Sequence, residues 1–163
     1  MKRIVLVRHA KAVPYGYEDD FSRDLTERGR NDALKVSALL KSRQVKPDLM
    51  ISSPANRALQ TATIFAGNLA YPVDEIQTEP GLYMEFTTGD FLDYLQSIDN
   101  NRSTLFVFGH NPGISYFVSR LTDGFYGDMP TCSTVCIEFP VTLWNEVDSR
   151  SGKLAFQLVP KMI

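Results

Sequence analysis

Several things are scarce in this chain, and each scarcity closes off a class of function. Cysteine and histidine occur only twice each in 163 residues. No apolar run approaches the ~20 residues that a membrane-spanning helix needs, so no membrane partner is expected. Charge of one sign is missing too: 17 Lys and Arg against 19 Asp and Glu leave a net charge of −2 and a pI near 5.7. That balance lacks the positive field that gathers nucleic acid. The opening Met1-Lys2-Arg3 leads into an apolar run that ends at Arg8, too short for a signal peptide and without its small-residue cleavage site. A cytoplasmic location is therefore expected. No repeat, low-complexity tract or linker interrupts the chain, so one domain over residues 1–163 is expected. A domain of this size buries roughly 70% of its unfolded surface, enough for a core without metal or disulfide staples.

The two cysteines, Cys132 and Cys136, fall in one strand-like run over 131–139. On a strand their Cα atoms would lie about 13 Å apart, beyond the roughly 4.4–6.8 Å of a disulfide. Both read as small apolar residues on a buried strand.

What is present is an alternation of strand-like and helix-like patterns. The β-branched run 3–7 suits a strand buried on both faces of a parallel sheet. A polar stretch follows, and then Thr26 caps a helix to about Ser42 with Ala33, Val36 and Leu40 at helical spacing. A strand is expected over 48–52, then a helix from near Pro54 with Ala58, Ala62, Phe65 and Leu69 in its apolar stripe. Further expectations are a short strand over 73–76, a helix over 88–98, a strand over 104–108, and a helix with Ile114, Phe117, Val118 and Leu121 on one face. Two more strands, 134–139 and 154–159, close the chain. The pattern predicts an α/β fold, a three-layer α/β/α sandwich around a mostly parallel sheet.

In such sheets ligands bind outside the carboxyl ends of the strands. Three expected strands are followed there by Arg8-His9-Ala10, by Ser52-Ser53-Pro54-Ala55-Asn56-Arg57 and by Gly109-His110-Asn111-Pro112. Both histidines of the chain are in this set. Arginine offers a permanently charged planar fork that matches phosphate oxygens. Arg8 and Arg57 together would neutralise a phosphoryl dianion, a neutral imidazole would attack it, and the second imidazole would stabilise the transferring group. Helix amino termini near Ala55 and Pro112 would add dipole ends aimed at the anion. A metal site is a poor alternative, because no carboxylate or cysteine lies within either histidine motif and the local charge is positive. A Ser–His nucleophile pair using Ser52 or Ser53 lacks a Gly-x-Ser-x-Gly elbow.

Three segments, residues 6–12, 52–62 and 109–113, together with Asp24-Leu25-Thr26-Glu27-Arg28-Gly29, resemble the histidine phosphatase superfamily, also called phosphoglycerate-mutase-like. The motifs stand in the family's order from residue 4 to about residue 120. Ala10 replaces the glycine usual in the wider superfamily, a departure common in its short bacterial branch, and in length the chain resembles the SixA-type protein phosphohistidine phosphatases. The resemblance implies that His9 is the phosphorylated nucleophile and that Arg8, Arg57 and His110 form the phosphate pocket, with Asn111 beside them in substrate binding. It also implies that no metal or organic cofactor is needed.

The leaving group sets what else is required. An alkoxide leaving from a phosphomonoester needs a general acid, whereas the imidazole leaving from phosphohistidine is better able to depart unaided. Glu79 and Glu85 are the candidates for that acid. The acidic cluster Glu18, Asp19 and Asp20 reads as a solvated loop. Tyr15, Tyr17, Tyr83 and Phe86 either line the entrance or pack at its rim. The segment before the 104–108 strand is short and leaves little material for a lid, which disfavours mutase chemistry and suits a phosphoryl group presented on a protein surface. A phosphorylated protein carrying phosphohistidine is thus the expected partner. The alternatives are a small phosphorylated substrate cleaved by a phosphomonoesterase and a catalytically silent binding module.

Overall fold

The amino-terminal run forms β1 (Lys2–Arg8), with Ile4 and Leu6 on one face and Val5 and Val7 on the other, all fully buried. The computed structural model of the chain describes residues 1–14, 19–84, 86–123, 125 and 127–163. Strands β2 (Leu49–Ser52), β3 (Gln77–Thr78) and β4 (Thr104–Gly109) join β1 in parallel, and β5 (Thr134–Phe139) and β6 (Lys153–Leu158) extend it antiparallel. The spatial order is β3-β2-β4-β1-β5-β6. β4 and β1, in the middle, are buried on both faces, which is why their sequences run apolar without alternation.

Helices cover both faces. α1 (Glu27–Ser42) and α2 (Asn56–Asn68) pack on the side of Val5, Val7, Phe106 and Phe108. α3 (Thr88–Gln96) and α4 (Gly113–Leu121) pack on the side of Ile4, Leu6, Leu105 and Val107. The stripes expected from spacing are the buried ones: Ala33, Val36 and Leu40 in α1, and Ile114, Phe117, Val118 and Leu121 in α4. Thr26 caps α1 by accepting the Gly29 N–H at 3.0 Å. Among the described residues no helix is long and apolar enough to cross a membrane.

Three local expectations need correction. α2 begins at Asn56, because Pro54 lies in a bend whose next residue, Ala55, is extended and donates its N–H to Ser53 Oγ at 3.2 Å. The segment 73–76 is mostly a tight turn: the Glu75 N–H bonds back to the Pro72 carbonyl at 3.0 Å. Strand pairing there moves on to Gln77 and Thr78, opposite Ile51 and Ser52. Cys132 lies before β5, not in it, at a left-handed φ of 62°. Its N–H reaches the carbonyls of Arg8 and His9 at 3.1 and 3.0 Å, which braces the end of β1. Both cysteines are buried and free, and burial pushes both thiols up.

Candidate active site

β1, β4 and β2 are neighbours with a common direction, so their carboxyl ends stand side by side. Arg8 faces Gly109 across one pair and Ser52 faces Phe108 across the other. The ladder continues one bond further on each side, His9 N–H to the Gly109 carbonyl at 3.0 Å and Ser53 N–H to the Phe108 carbonyl at 2.9 Å. The strand ends therefore gather Arg8, His9, Arg57 and His110. The rings of His9 and His110 lie 5.2 Å apart.

His9 is 8% exposed. Its Nδ1 lies 2.7 Å from the Ala10 carbonyl oxygen, an obligate acceptor, so Nδ1 carries the proton and Nε2 keeps its lone pair. Burial pushes the His9 pKa down to about 4, and the charges of Arg57, Arg8 and Arg23 add to this against the pull of the Ala10 carbonyl. His110 is pushed down to about 3, first by burial and then by His9 and Arg57. Its Nε2 is 2.7 Å from Ser53 Oγ, which itself accepts the Ala55 N–H. The serine hydroxyl can then donate to Nε2, which leaves the His110 proton on Nδ1.

Among the described residues, the buried side-chain atoms without a hydrogen-bond partner are Arg8 Nε, Arg57 Nε, His110 Nδ1 and Thr88 Oγ1. The three nitrogens all belong to this cluster. Arg8 is further tied by Nη1 to the Met129 carbonyl at 3.0 Å. Asn111 donates from Nδ2 to that same carbonyl at 3.0 Å, so its amide helps position the acceptor that holds Arg8.

Helix α2 connects the cluster to the loop before α1. Asn56 Nδ2 donates to the Ser22 carbonyl, while Gln60 takes the Leu25 N–H and gives an N–H to Asp24. Thr61 Oγ1 accepts the Ala10 N–H at 3.0 Å. Through these contacts the loop brings in a residue that sequence reasoning set aside. Asp20 takes both terminal nitrogens of Arg57, Nη1 on its carbonyl at 2.7 Å and Nη2 on Oδ2 at 3.1 Å. Oδ2 also accepts the Tyr83 hydroxyl at 2.7 Å, and Oδ1 accepts from Arg23 Nη1 at 3.0 Å. The Tyr83 hydroxyl, with the arginines behind it, holds the Asp20 pKa down at about 2. Asp20 is thus a paired carboxylate, although its side chain stays partly exposed. A buried arginine requires an anion, but the burial of Arg57 is seen only in the structure, so no signal in the sequence pointed to Asp20.

The candidate acids fare differently. The Glu79 carboxylate accepts the Gly81 N–H at 3.3 Å and caps the turn Pro80–Leu82. Glu85 lies outside the described residues, as do Tyr15, Tyr17 and Glu18. Tyr83 packs edge-on to His110 at 5.6 Å and to Phe21 at 5.4 Å. With Phe86, Ile114 and Phe117, Tyr83 and His110 line a cavity of about 260 Å³.

A parallel strand-end cluster of two arginines and two imidazoles on an α/β fold defines a class, and the chain belongs to it: the histidine phosphatase superfamily (branch 1), whose family model matches residues 4–107. Members of this superfamily are phosphatases. The whole chain is similar to the protein histidine phosphatase SixA, solved with tungstate, at a TM-score of 0.85 and 23% identity over 98% of each chain. A putative phosphohistidine phosphatase SixA from Agrobacterium tumefaciens matches with a TM-score of 0.78 and 24% identity, again over 98% of each chain. An uncharacterised chloroplastic protein of Arabidopsis thaliana is 27% identical over 96% of this chain and 75% of its own length.

Proposed function

We propose that the protein is a metal-independent phosphatase, one domain over residues 1–163, that forms a phosphohistidine on His9 and acts on phosphohistidine carried by a protein. The observation that carries this reading is the set of unpartnered nitrogens, Arg8 Nε, Arg57 Nε and His110 Nδ1, gathered around a neutral imidazole. A buried donor without a partner costs about 1–3 kcal/mol, so several at one place call for an acceptor that arrives with the substrate. A phosphoryl group supplies three such oxygens.

In this reading His9 Nε2 attacks phosphorus, the bond from phosphorus to the leaving nitrogen breaks, and the released imidazole takes a proton from solvent water. Arg8, Arg57 and His110 hold the equatorial oxygens as charge spreads over them. Water then attacks the His9 phosphoramidate, releasing inorganic phosphate and restoring the imidazole. Of the two candidate acids, Glu79 is engaged in capping its own turn, which supports phosphohistidine over an ester as far as that residue goes. Retention of all four pocket residues speaks against a silent binding module.

Initial rates on a phosphohistidine-bearing protein and on a panel of phosphomonoesters, with His9→Ala as blank, test the reading. Preference for phosphohistidine, inhibition by vanadate and indifference to EDTA are expected. Preference for an ester would replace this reading with a small-molecule phosphomonoesterase, and strong inhibition by EDTA would overturn the metal-free mechanism.

A further inference from the structure

Arg57 is only 7% exposed and sits in the first turn of α2, where the helix dipole disfavours a cation. Taking a guanidinium out of water there requires an anion beside it. Asp20 meets the requirement with two acceptors, and its carboxylate is in turn held by Tyr83 and Arg23. The carboxylate remains partly open to solvent, at 32% exposure of its side chain. Each end of the Arg57 fork therefore gives a hydrogen bond to the same residue, and Nε is the guanidinium nitrogen without a partner.

A phosphoryl dianion that binds Arg57 meets this carboxylate across the same guanidinium. Two anions on one cation repel each other, and the repulsion is strong in a partly desolvated site. Arg23 shields one carboxylate oxygen, whereas among the described residues Oδ2, the oxygen on Arg57, has the neutral Tyr83 hydroxyl as its other partner.

We propose that Asp20 is a resident counter-anion of Arg57 that sets how loosely the pocket holds phosphate. It keeps the guanidinium aimed and balanced before substrate arrives, and it weakens the grip on the inorganic phosphate left after hydrolysis. A site built from two arginines alone would bind its own product tightly and be slow to release it. The inference rests on the reading of this cluster as a phosphoryl site.

Calorimetric titration of inorganic phosphate into the wild-type protein, Asp20→Asn, Asp20→Ala and Asp19→Asn at fixed pH and ionic strength tests it. Asp20→Asn preserves hydrogen bonding and removes the charge, so phosphate should bind roughly tenfold more tightly. Asp20→Ala should shift in the same direction despite losing its acceptors. Asp19→Asn should shift less than about twofold, because Asp19 serves as the cap of the neighbouring turn, accepting the Ser22 N–H. Unchanged or weaker binding in either Asp20 variant would make Asp20 a brace for Arg57 and overturn the inference while leaving the phosphoryl site standing. An equal shift in Asp19→Asn would reduce the effect to a general field and overturn it as well. If no protein in the set bound phosphate, the phosphoryl site itself would fall.

Discussion

At His9, a single backbone carbonyl fixes which nitrogen is available for attack, and burial keeps that nitrogen unprotonated well below the usual histidine range. Protonation of Nε2 would remove the nucleophile, so activity is lost as pH falls. With the pKa pushed down to about 4, kcat/KM should hold across pH 5–7 and drop only toward pH 4. A pH–rate profile corrected with the His9→Ala blank checks this; an acid limb near the ordinary histidine value would contradict it. Arg57→Ala should lower kcat/KM by about 10²-fold or more, since a charged clamp on the transferring group is lost. That Arg8, His9, Arg57 and His110 gather at one end of the sheet was legible because each ends or follows a strand or opens a helix there. Asp20 was not, because its meaning comes from Arg57, 37 residues further along. Ser53, considered as a nucleophile, instead hydrogen-bonds His110 Nε2, a contact visible only once the two side chains meet.

Helix α1 illustrates how an element can carry a constraint that outweighs propensity. Alanine is favoured over glycine in a helix by about 1 kcal/mol, so Gly29→Ala ought to stabilise. A Cβ at Gly29 would instead overlap the carbonyl oxygen of Lys11, which also accepts the Thr26 N–H. The collision is with backbone and cannot be relieved by a rotamer change, so a net loss of about 1–3 kcal/mol is expected. The midpoint of urea unfolding measures it, and a gain in stability would refute the close approach. The Leu-Thr-x-x-Gly pattern was readable as a helix start because capping is local. The β-branched Val73 and Ile76 favour a strand at 73–76, but the backbone turns after Pro72 and pairing begins only at Gln77.

For the molecule as a whole, two neutral histidines, His9 buried and His110 partly so, link folding to pH. Their folded pKa values are pushed down to about 4 and about 3, whereas the unfolded chain returns them to the ordinary value. In between, the unfolded state binds more protons, so stability rises with pH; it is complete above the ordinary histidine pKa and lost as pH falls toward 4. At pH 5 the loss should reach up to about 2 kcal/mol for each histidine. Urea midpoints at pH 7 and pH 5 test this, and the double variant His9→Gln, His110→Gln should flatten the difference. The layered α/β architecture followed from alternation of element types, but strand order did not. β1 lies beside β4 and not β2 because of long-range pairing that no local period encodes.

Asn56 and Gln60 fasten the 22–25 segment to the helix that bears Arg57, and Arg57 itself grips Asp20. Clamp and counter-anion thus share one mount, while the nucleophile stands on the sheet. If α2 slides, the Arg57–Asp20 spacing is preserved and the error appears in the distance from both to His9. Drift in this protein would therefore be felt as a mis-set reach to the phosphorus atom, with the charge balance around Arg57 left intact.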